Sequence, residues 1–165
     1  KLVFDWEEEI KIDATDLTQI RNALLHLINN AIDHGVESPE ERLELKKPLQ
    51  GTIRISAYIA GDRLVFNVED DGRGVDTEKV RRKAVEKKVI TSEKAKGLSE
   101  DDARQLILAQ GFSTAETVSE ISGRGVGLSA VAETVKSYSG EIEVKESKYG
   151  GTAFYFFVRV PGIES

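Results

Sequence analysis

Apolar and polar residues alternate in five segments of the chain, and this period of two predicts five β-strands. The first covers residues 2–12, where three consecutive glutamates indicate a solvated side or a sheet edge. The strands 53–59 and 64–68 are separated by a short Ala-Gly-Asp turn, and the strands 142–146 and 154–160 by a glycine pair. Each of these two pairs therefore predicts a β-hairpin.

Apolar residues at helical spacing predict α-helices between the strands. The longest helix is expected to run from Asp16, as its N-cap, to Gly35, as its C-terminal stop. Its apolar stripe consists of Leu17, Ile20, Leu24, Leu27, Ile28 and Ala31. Further helices are predicted over 77–88 and 100–110, each with a Thr or Ser that can cap it, over 126–138, and over 40–45 inside a polar loop. The predicted fold class is α+β: a two-layer α/β sandwich in which a mixed, mostly antiparallel sheet carries helices on one face.

Composition limits the kinds of function that the chain can have. Its 165 residues fit a single domain, residues 1–165, that buries about 68–70% of its unfolded surface. With no Cys and two His, a disulfide framework, a thiolate metal site and a His-rich metal cage are excluded. The net charge of −6 argues against binding to nucleic acid or to an anionic membrane. Without a long apolar run or a signal pattern, a cytoplasmic domain with no membrane insertion is expected.

The strand at 64–68 leads into the segment 70–74, DDGRG, and brings a carboxylate to the buried side of the sheet. Leu64, Phe66, Val68 and Asp70 share one strand parity, so the carboxylate lies on the face that buries the three apolar side chains. A carboxylate left there without an N–H partner costs on the order of 1–3 kcal/mol or more. A group that carries an N–H donor is therefore expected beside Asp70.

A second glycine cluster, GRGVG at 123–127, opens the predicted helix at 126–138. Free backbone amides and the helix dipole at such a position favour phosphate. An amine donor at one end and phosphates at the other describe a purine nucleotide. The cluster matches neither the P-loop pattern nor the glycine spacing of a dinucleotide-binding Rossmann motif.

Polar residues lie on the side of the first predicted helix opposite its apolar stripe: His26, Asn30 and Asp33, with His34 at the margin. His26 and Asn30 are four residues apart, as are Asn30 and His34, so their side chains lie over neighbouring turns. An amide oxygen and an imidazole can ligate a hard cation such as Mg²⁺, with water and phosphate oxygens completing the shell. The alternative interpretation, favoured for any one of these residues taken alone, is an ordinary solvated helix face.

Five motifs together resemble a known superfamily. They are HLINNAIDHG at 26–35, DDGRG at 70–74, GFST at 111–114, SGRGVG at 122–127 and Gly151-Thr152. In this order they resemble the N, G1, F, G2 and G3 boxes of the GHKL superfamily of gyrase, chaperone, histidine kinase and MutL. The DHG ending, the PEER insertion after it, and the GFST and SGRGVG strings resemble the ATP-binding domain of CheA-type chemotaxis histidine kinases. The resemblance covers nearly the whole chain and implies the Bergerat ATP-binding fold.

The resemblance also implies roles for the matching residues. Asn30 would ligate Mg²⁺, with His26 beside it at the metal and assisting phosphoryl transfer, and Asp70 would accept a hydrogen bond from the exocyclic amine of adenine. Gly72 and Gly74 would let the backbone approach the base. The other residues implied to bind ATP are Asp33, His34, Lys79, Lys83, Gly123, Arg124, Gly125, Val126, Gly127, Leu128 and Thr152.

Among these, the glycines of the second cluster would wrap the phosphates in a lid that begins near Gly111, and Thr152 would lie near the adenine. Lys79 and Lys83 form an i, i+4 pair that would contact phosphate, and a solvated basic helix face is their alternative interpretation.

The resemblance implies an enzyme that phosphorylates a protein. Hydrolytic members of the superfamily place a Glu four residues before the metal-binding Asn, where this chain has His26, which favours phosphoryl transfer over ATP hydrolysis. Since both histidines fall in the expected ATP site, the accepting His is expected on a phosphotransfer domain of the same or a partner chain. Dimerisation and regulatory domains and a receptor or adaptor complex at membrane arrays are the other implied partners, with a monomeric isolated domain and a dimeric full-length protein. The alternatives are a GHKL ATPase or protein-serine kinase, and a catalytically inactive nucleotide-binding scaffold.

Overall fold

The computed structural model describes residues 1–6, 13–109, 112 and 127–159. Its strands form one sheet in the order β1-β2-β3-β5-β4. The strands are β1 (Leu2–Trp6), β2 (Ile53–Ala60), β3 (Arg63–Asp70), β4 (Glu141–Glu146) and β5 (Thr152–Arg159). β1 pairs with β2 in parallel, and the other three pairings are antiparallel. This arrangement confirms the mixed, mostly antiparallel sheet and both hairpins.

Helices lie between the strands in chain order. They are α1 (Ala14–Asn30), α2 (Pro39–Glu44), α3 (Thr77–Glu86), α4 (Ser92–Gly97), α5 (Glu100–Gln105) and α6 (Leu128–Ser137). A π-helical turn, Ala31–Gly35, continues α1, and a 3₁₀ turn, Leu106–Leu108, follows α5.

The core lies between the helices and one face of the sheet. In the antiparallel register Leu64, Phe66 and Val68 of β3 lie opposite Val158, Phe156 and Phe154 of β5. All six are buried, and the rings of Phe66 and Phe156 stack with centroids 4.8 Å apart. Helical residues complete the core, among them Ile20, Ala23, Leu27, Val131 and Val135. Burying each large side chain stabilises the fold by about 1.5–3 kcal/mol, which holds helices to this one face and confirms the two-layer sandwich.

The first helix differs from its sequence prediction at its N-terminal end, whereas the π-helical turn that continues it ends at Gly35, as predicted. It begins at Ala14 with Asp13, not Asp16, as the N-cap, because the Asp13 carboxylate accepts the Thr15 N–H. Leu17 of the predicted stripe is 52% exposed, and the buried stripe begins one turn later. Helical spacing fixes the direction of a side chain, but it does not decide whether another element covers that side chain.

Other helix boundaries also required correction. Asp76 caps α3 through the Lys79 N–H, in place of the Thr or Ser that the sequence prediction proposed. The 100–110 prediction ends as an α-helix at Gln105. α4 was not predicted, since its sequence contains Ala95 as its one buried residue and so lacks apolar periodicity. The second half of the predicted 2–12 strand, the 111–122 loop apart from Phe112, and Val160 lie outside the described residues.

Candidate functional site

β3 ends at Asp70, whose carboxylate is covered by neighbouring backbone. The residue is 2% exposed, as the strand parity predicts. Its Oδ1 accepts the N–H of Gly72 at 2.8 Å and the N–H of Thr152 at 3.2 Å. No described residue donates a hydrogen bond to Oδ2. The carboxylate is thus held in place by the backbone through one oxygen, and its other oxygen retains acceptor capacity.

Three glycines surround this carboxylate, each from a different part of the chain. A Cβ on Gly72 would overlap the carbonyl oxygen of Gly35, and a Cβ on Gly151 would overlap Asp70 Oδ1. A Cβ on Gly35 would lie 3.1 Å from Asp70 Oδ2. Gly74 has a φ of +71°, a left-handed conformation that glycine adopts without strain. Glycine backbone therefore packs directly against the acceptor, with no Cβ atom on these three residues. We call this arrangement the recess; the lack of Cβ atoms suits the approach of a flat ring that carries an amine.

The pKa of Asp70 is raised from its ordinary value of 3.8. The main cause is burial, which disfavours the charged form, and the nearby carboxylates of Asp71 and Glu37 act in the same direction. The backbone N–H groups of Gly72 and Thr152 oppose the shift because they bind the charged form. The charge state of the acceptor thus depends on the groups around it.

A buried ion cluster that sequence reasoning missed lies behind the recess. It joins Glu37, Arg42, Lys47 and Asp71. The side chain of Arg42 is 1% exposed, although Arg is seldom fully buried unless it is paired. The doubled Asp at 70–71 and the Arg of the PEER insertion were the available signals, but their sequence separation hid the contact.

The polar face of α1 is more open than the recess. His26 and Asn30 are half-buried, whereas Asp33 and His34 are exposed. A π-type hydrogen bond from the Val36 N–H to the Ala31 carbonyl, 2.8 Å long, ends the helix and changes its regular spacing just before Asp33 and His34. The structure therefore separates the half-buried His26 and Asn30 from the exposed Asp33 and His34.

None of these four side chains forms a hydrogen bond or ion pair with another described residue. Burial lowers the pKa of His26, which favours the neutral imidazole near pH 7. Within the described ranges, no group of three or more His, Asp or Glu residues is arranged to hold a metal ion. A cation here would therefore need ligand oxygens to complete its shell, as Mg²⁺ does with phosphates and water.

The other predicted contacts fall on two helices and β5. Lys79 is exposed and Lys83 is half-buried on α3, while Gly127 is the N-cap of α6 and Leu128 its first residue. Thr152 is buried at the start of β5 and contacts Asp70 through its N–H. The predicted residues Gly123, Arg124, Gly125 and Val126 lie outside the described residues.

A cavity of about 600 Å³ lies between α3 and α4, away from the recess. It is lined by Glu78, Arg81, Arg82, Val85, Glu86, Ser92, Ala95, Lys96 and Leu98. It contains none of the predicted site residues, so the acceptor chemistry at Asp70, and not cavity size, identifies the site. Separately, no described helix has the length and apolar content that crossing a membrane requires.

Comparison with known proteins places the chain in a family. Residues 15–162 match the family model described as histidine kinase-, DNA gyrase B-, and HSP90-like ATPase. A gliding motility regulatory protein of Myxococcus xanthus is 48% identical over 136 residues, which are 82% of this chain and 18% of that protein. The chemotaxis protein CheA of Bacillus subtilis is 43% identical over 146 residues, 88% of this chain and 22% of that protein. The chain spans about a fifth of the length of these relatives.

The fold is shared with solved structures of lower sequence identity. The nucleotide-free catalytic domain of the histidine kinase ThkA superposes with a TM-score of 0.61 at 19% identity, covering 96% of this chain and 77% of that one. That likeness concerns the fold, whereas the family match and the curated relatives concern the sequence. The chain therefore belongs to the family of histidine kinase-, DNA gyrase B- and HSP90-like ATPases, as a nucleotide-binding domain of the CheA type.

Proposed function

We propose that residues 1–165 form one ATP-binding catalytic domain, which uses Mg²⁺ and transfers the γ-phosphate of ATP to a histidine on a separate phosphotransfer domain. The observation that carries the proposal is the buried carboxylate of Asp70, fixed through Oδ1 and surrounded by glycine backbone. The 41% identity over 145 residues to the sensor histidine kinase CheAY of Helicobacter pylori supports the kinase activity.

In this proposal the recess recognises the base. The exocyclic amine of adenine donates to Asp70 Oδ2, while Gly72, Gly74 and Gly151 allow the ring to approach the backbone. Guanine carries a carbonyl oxygen where adenine carries its amine, so it faces the carboxylate without a hydrogen bond. Losing a hydrogen bond to a charged acceptor costs about 1.5–3 kcal/mol, which corresponds to roughly 10–100-fold in affinity.

The α1 face serves the phosphates. The amide oxygen of Asn30 ligates Mg²⁺, which when bound neutralises phosphate charge, and Asp33 and His34 lie at the outer edge of this region. A neutral His26 imidazole, favoured by its lowered pKa, can accept a proton from the incoming histidine during transfer. Lys79, Lys83 and residues 123–128 contact the phosphates in this proposal.

The proposed partners include a domain that carries the histidine to be phosphorylated. Both histidines of the chain belong to the proposed ATP site, so the phosphorylated histidine lies on another domain of the same or a partner chain. Dimerisation and regulatory domains and a receptor or adaptor complex complete the proposed assembly, in the cytoplasm at membrane receptor arrays. The isolated domain is proposed to be monomeric.

Calorimetric titration with ATP, ADP and GTP, with and without Mg²⁺, tests the binding step. Incubation with radiolabelled ATP and a separately supplied histidine phosphotransfer domain tests the transfer. We expect tighter binding of ATP and ADP than of GTP, and an acid-labile phosphorylated product.

The outcomes separate the alternatives. An acid-stable product indicates a serine kinase, phosphate release without a labelled protein indicates an ATPase, and binding without turnover indicates a scaffold. Equal affinity for ATP and GTP overturns the assignment of Asp70 to the base.

A further inference from the structure

A buried guanidinium organises the turn that follows β3. Arg42 Nη1 donates to Glu37 Oε2 at 2.9 Å and to Asp71 Oδ1 at 3.1 Å, and Nη2 donates to Asp71 Oδ2 at 3.2 Å. Its Nε donates to the carbonyl of Pro48 at 2.6 Å. The bidentate contact between Arg42 and Asp71 fixes the Asp71 carboxylate, because the planar guanidinium donates two parallel hydrogen bonds to its two oxygens.

Lys47 also binds this turn. Its Nζ donates to Glu37 Oε1 at 2.6 Å, to the carbonyl of Asp71 at 3.1 Å and to the carbonyl of Gly72 at 2.9 Å. Gly72 is the residue whose N–H holds Asp70 Oδ1. The Lys47 ammonium group therefore holds the Asp71–Gly72 peptide unit, which carries that N–H, and the peptide unit that follows it.

The cluster also balances charge next to Asp70. Two cations, Arg42 and Lys47, pair with two carboxylates, Glu37 and Asp71, so the negative charges beside Asp70 are countered. The backbone around Asp70 comes from Gly35, Gly72 and Gly151, with uncharged Thr152 on β5. Glu69, which precedes Asp70 on β3, is also buried and accepts a hydrogen bond from the Ser147 hydroxyl at 3.3 Å. The charged groups Asp33, His34, Glu40, Glu41 and Arg73 on the neighbouring segments are exposed.

We propose that Lys47 and Arg42 are positioning residues for base recognition: they hold the Asp71–Gly72 turn and neutralise the carboxylates behind Asp70, so that Asp70 remains a charged acceptor. This inference rests on the proposed function for its consequence in ATP binding. The negative charges of Asp71 and Glu37 contribute to the raised pKa of Asp70. Loss of a cation that counters them should therefore raise this pKa further. Removing Lys47 raises that pKa further and lets the turn move.

The test uses Lys47, whose side chain is 28% exposed, because loss of the buried Arg42 could prevent folding. Lys47→Met removes the charge and the hydrogen bonds of the ammonium group, whereas Lys47→Arg retains a positive charge and N–H donors. Lys46→Met is the matched control at the exposed neighbouring residue. The first measurement needs no nucleotide: the NMR shift of the Gly72 amide is followed against pH, since this N–H reports the charge on Asp70. The second is the affinity for Mg-ATP across the same pH range.

We expect Lys47→Met to move the Gly72 titration midpoint to higher pH. Because one unit of pKa is a tenfold change in the protonation ratio, a one-unit shift weakens ATP binding about tenfold at a pH well below the midpoint. Lys47→Arg restores most of both values, and Lys46→Met leaves them unchanged. Glu37→Gln removes one negative charge and moves the midpoint the opposite way, which a purely structural role does not produce.

A Lys47→Met midpoint equal to that of Lys46→Met overturns the inference. If Lys47→Met does not fold, the sign of the Glu37→Gln shift decides instead, and an unchanged or raised midpoint there overturns it. If the parent protein binds no ATP, the proposed function fails, while the amide titration still decides whether the cations control Asp70.

Discussion

The two ends of the proposed ATP site are built in different ways. At the base end, Asp70 is 2% exposed, receives two backbone hydrogen bonds and is backed by a buried ion cluster. At the phosphate end, His26 and Asn30 are half-buried, Asp33 and His34 are exposed, and none of these four side chains forms a hydrogen bond or ion pair with another described residue. The chain itself fixes the first region, whereas the second requires a ligand to define it.

This difference indicates that the two ends of the site have different roles. A preorganised recess loses little freedom on binding, so it can supply selectivity for the base. Side chains free to move can follow phosphates and metal through a reaction in which the charge distribution changes. Substitutions at the base end should therefore change selectivity for the base, and substitutions on α1 should change Mg²⁺-dependent binding or phosphoryl transfer.

The largest expected effect belongs to the α1 face. His26→Ala should leave ATP affinity nearly intact and slow phosphoryl transfer about 10²–10⁴-fold, the range for a positioned acid–base group. Asn30→Ala should instead weaken Mg²⁺-dependent binding. Calorimetry measures the ATP affinity of both variants, and a single-turnover assay measures their phosphoryl transfer to a separate histidine domain. Asn29→Ala, on the exposed neighbouring position, is the control, and a parental transfer rate in His26→Ala would return His26 to the class of solvated helix residues.

Asp70→Asn should have the next largest effect. The Asn oxygen can still accept the Gly72 and Thr152 N–H groups, which directs its NH₂ toward the amine of adenine. ATP affinity should fall about 10–100-fold and the preference over GTP should shrink, because a donor now faces a donor. Asp62→Asn removes the same charge from an exposed turn and serves as control. An unchanged ATP to GTP ratio contradicts the role of Asp70.

Gly151→Ala tests how tightly the recess is built. The new Cβ would overlap Asp70 Oδ1, so we expect a loss of about 1–3 kcal/mol in the free energy of unfolding together with weaker ATP binding. Gly97→Ala is the matched control, since its Cβ would meet nothing within 4 Å. Urea unfolding measures both variants. Equal stability of the two variants would show that the recess can expand without cost.

The smallest expected effect is the pH dependence of stability. The folded state binds the Asp70 proton more tightly than the unfolded chain does, so the contribution of Asp70 to stability falls as pH rises from about 3.8 through the raised pKa. Affinity for ATP rises over the same window, since the charged acceptor forms. Unfolding of the parent and of Asp70→Asn at a series of pH values measures the difference, and parallel curves would contradict the raised pKa.

Sequence patterns predicted the hairpins and the burial of Asp70 well. Strand parity is a local property with a period of two, so Leu64, Phe66, Val68 and Asp70 could be assigned to one face without knowing their neighbours. Residues 53–59 and 64–68 carry a short turn between them, which leaves little choice of pairing. The start of α1 could not be predicted from sequence alone, because Asp13 and Asp16 can both act as N-caps. The backbone geometry decides for Asp13, whose carboxylate accepts the Thr15 N–H.

The sequence by itself determined an α+β chain with a buried acceptor at the end of a strand, since alternation, spacing and turn residues act over a few positions. The tertiary structure alone decided that Gly35, Gly72 and Gly151 meet around that acceptor and that Arg42 is buried against Asp71. These contacts join residues about 30 to 120 positions apart. Their formation depends on the packing of α1, α2 and β5 around β3, because no local pattern encodes which distant backbone will approach a given carboxylate.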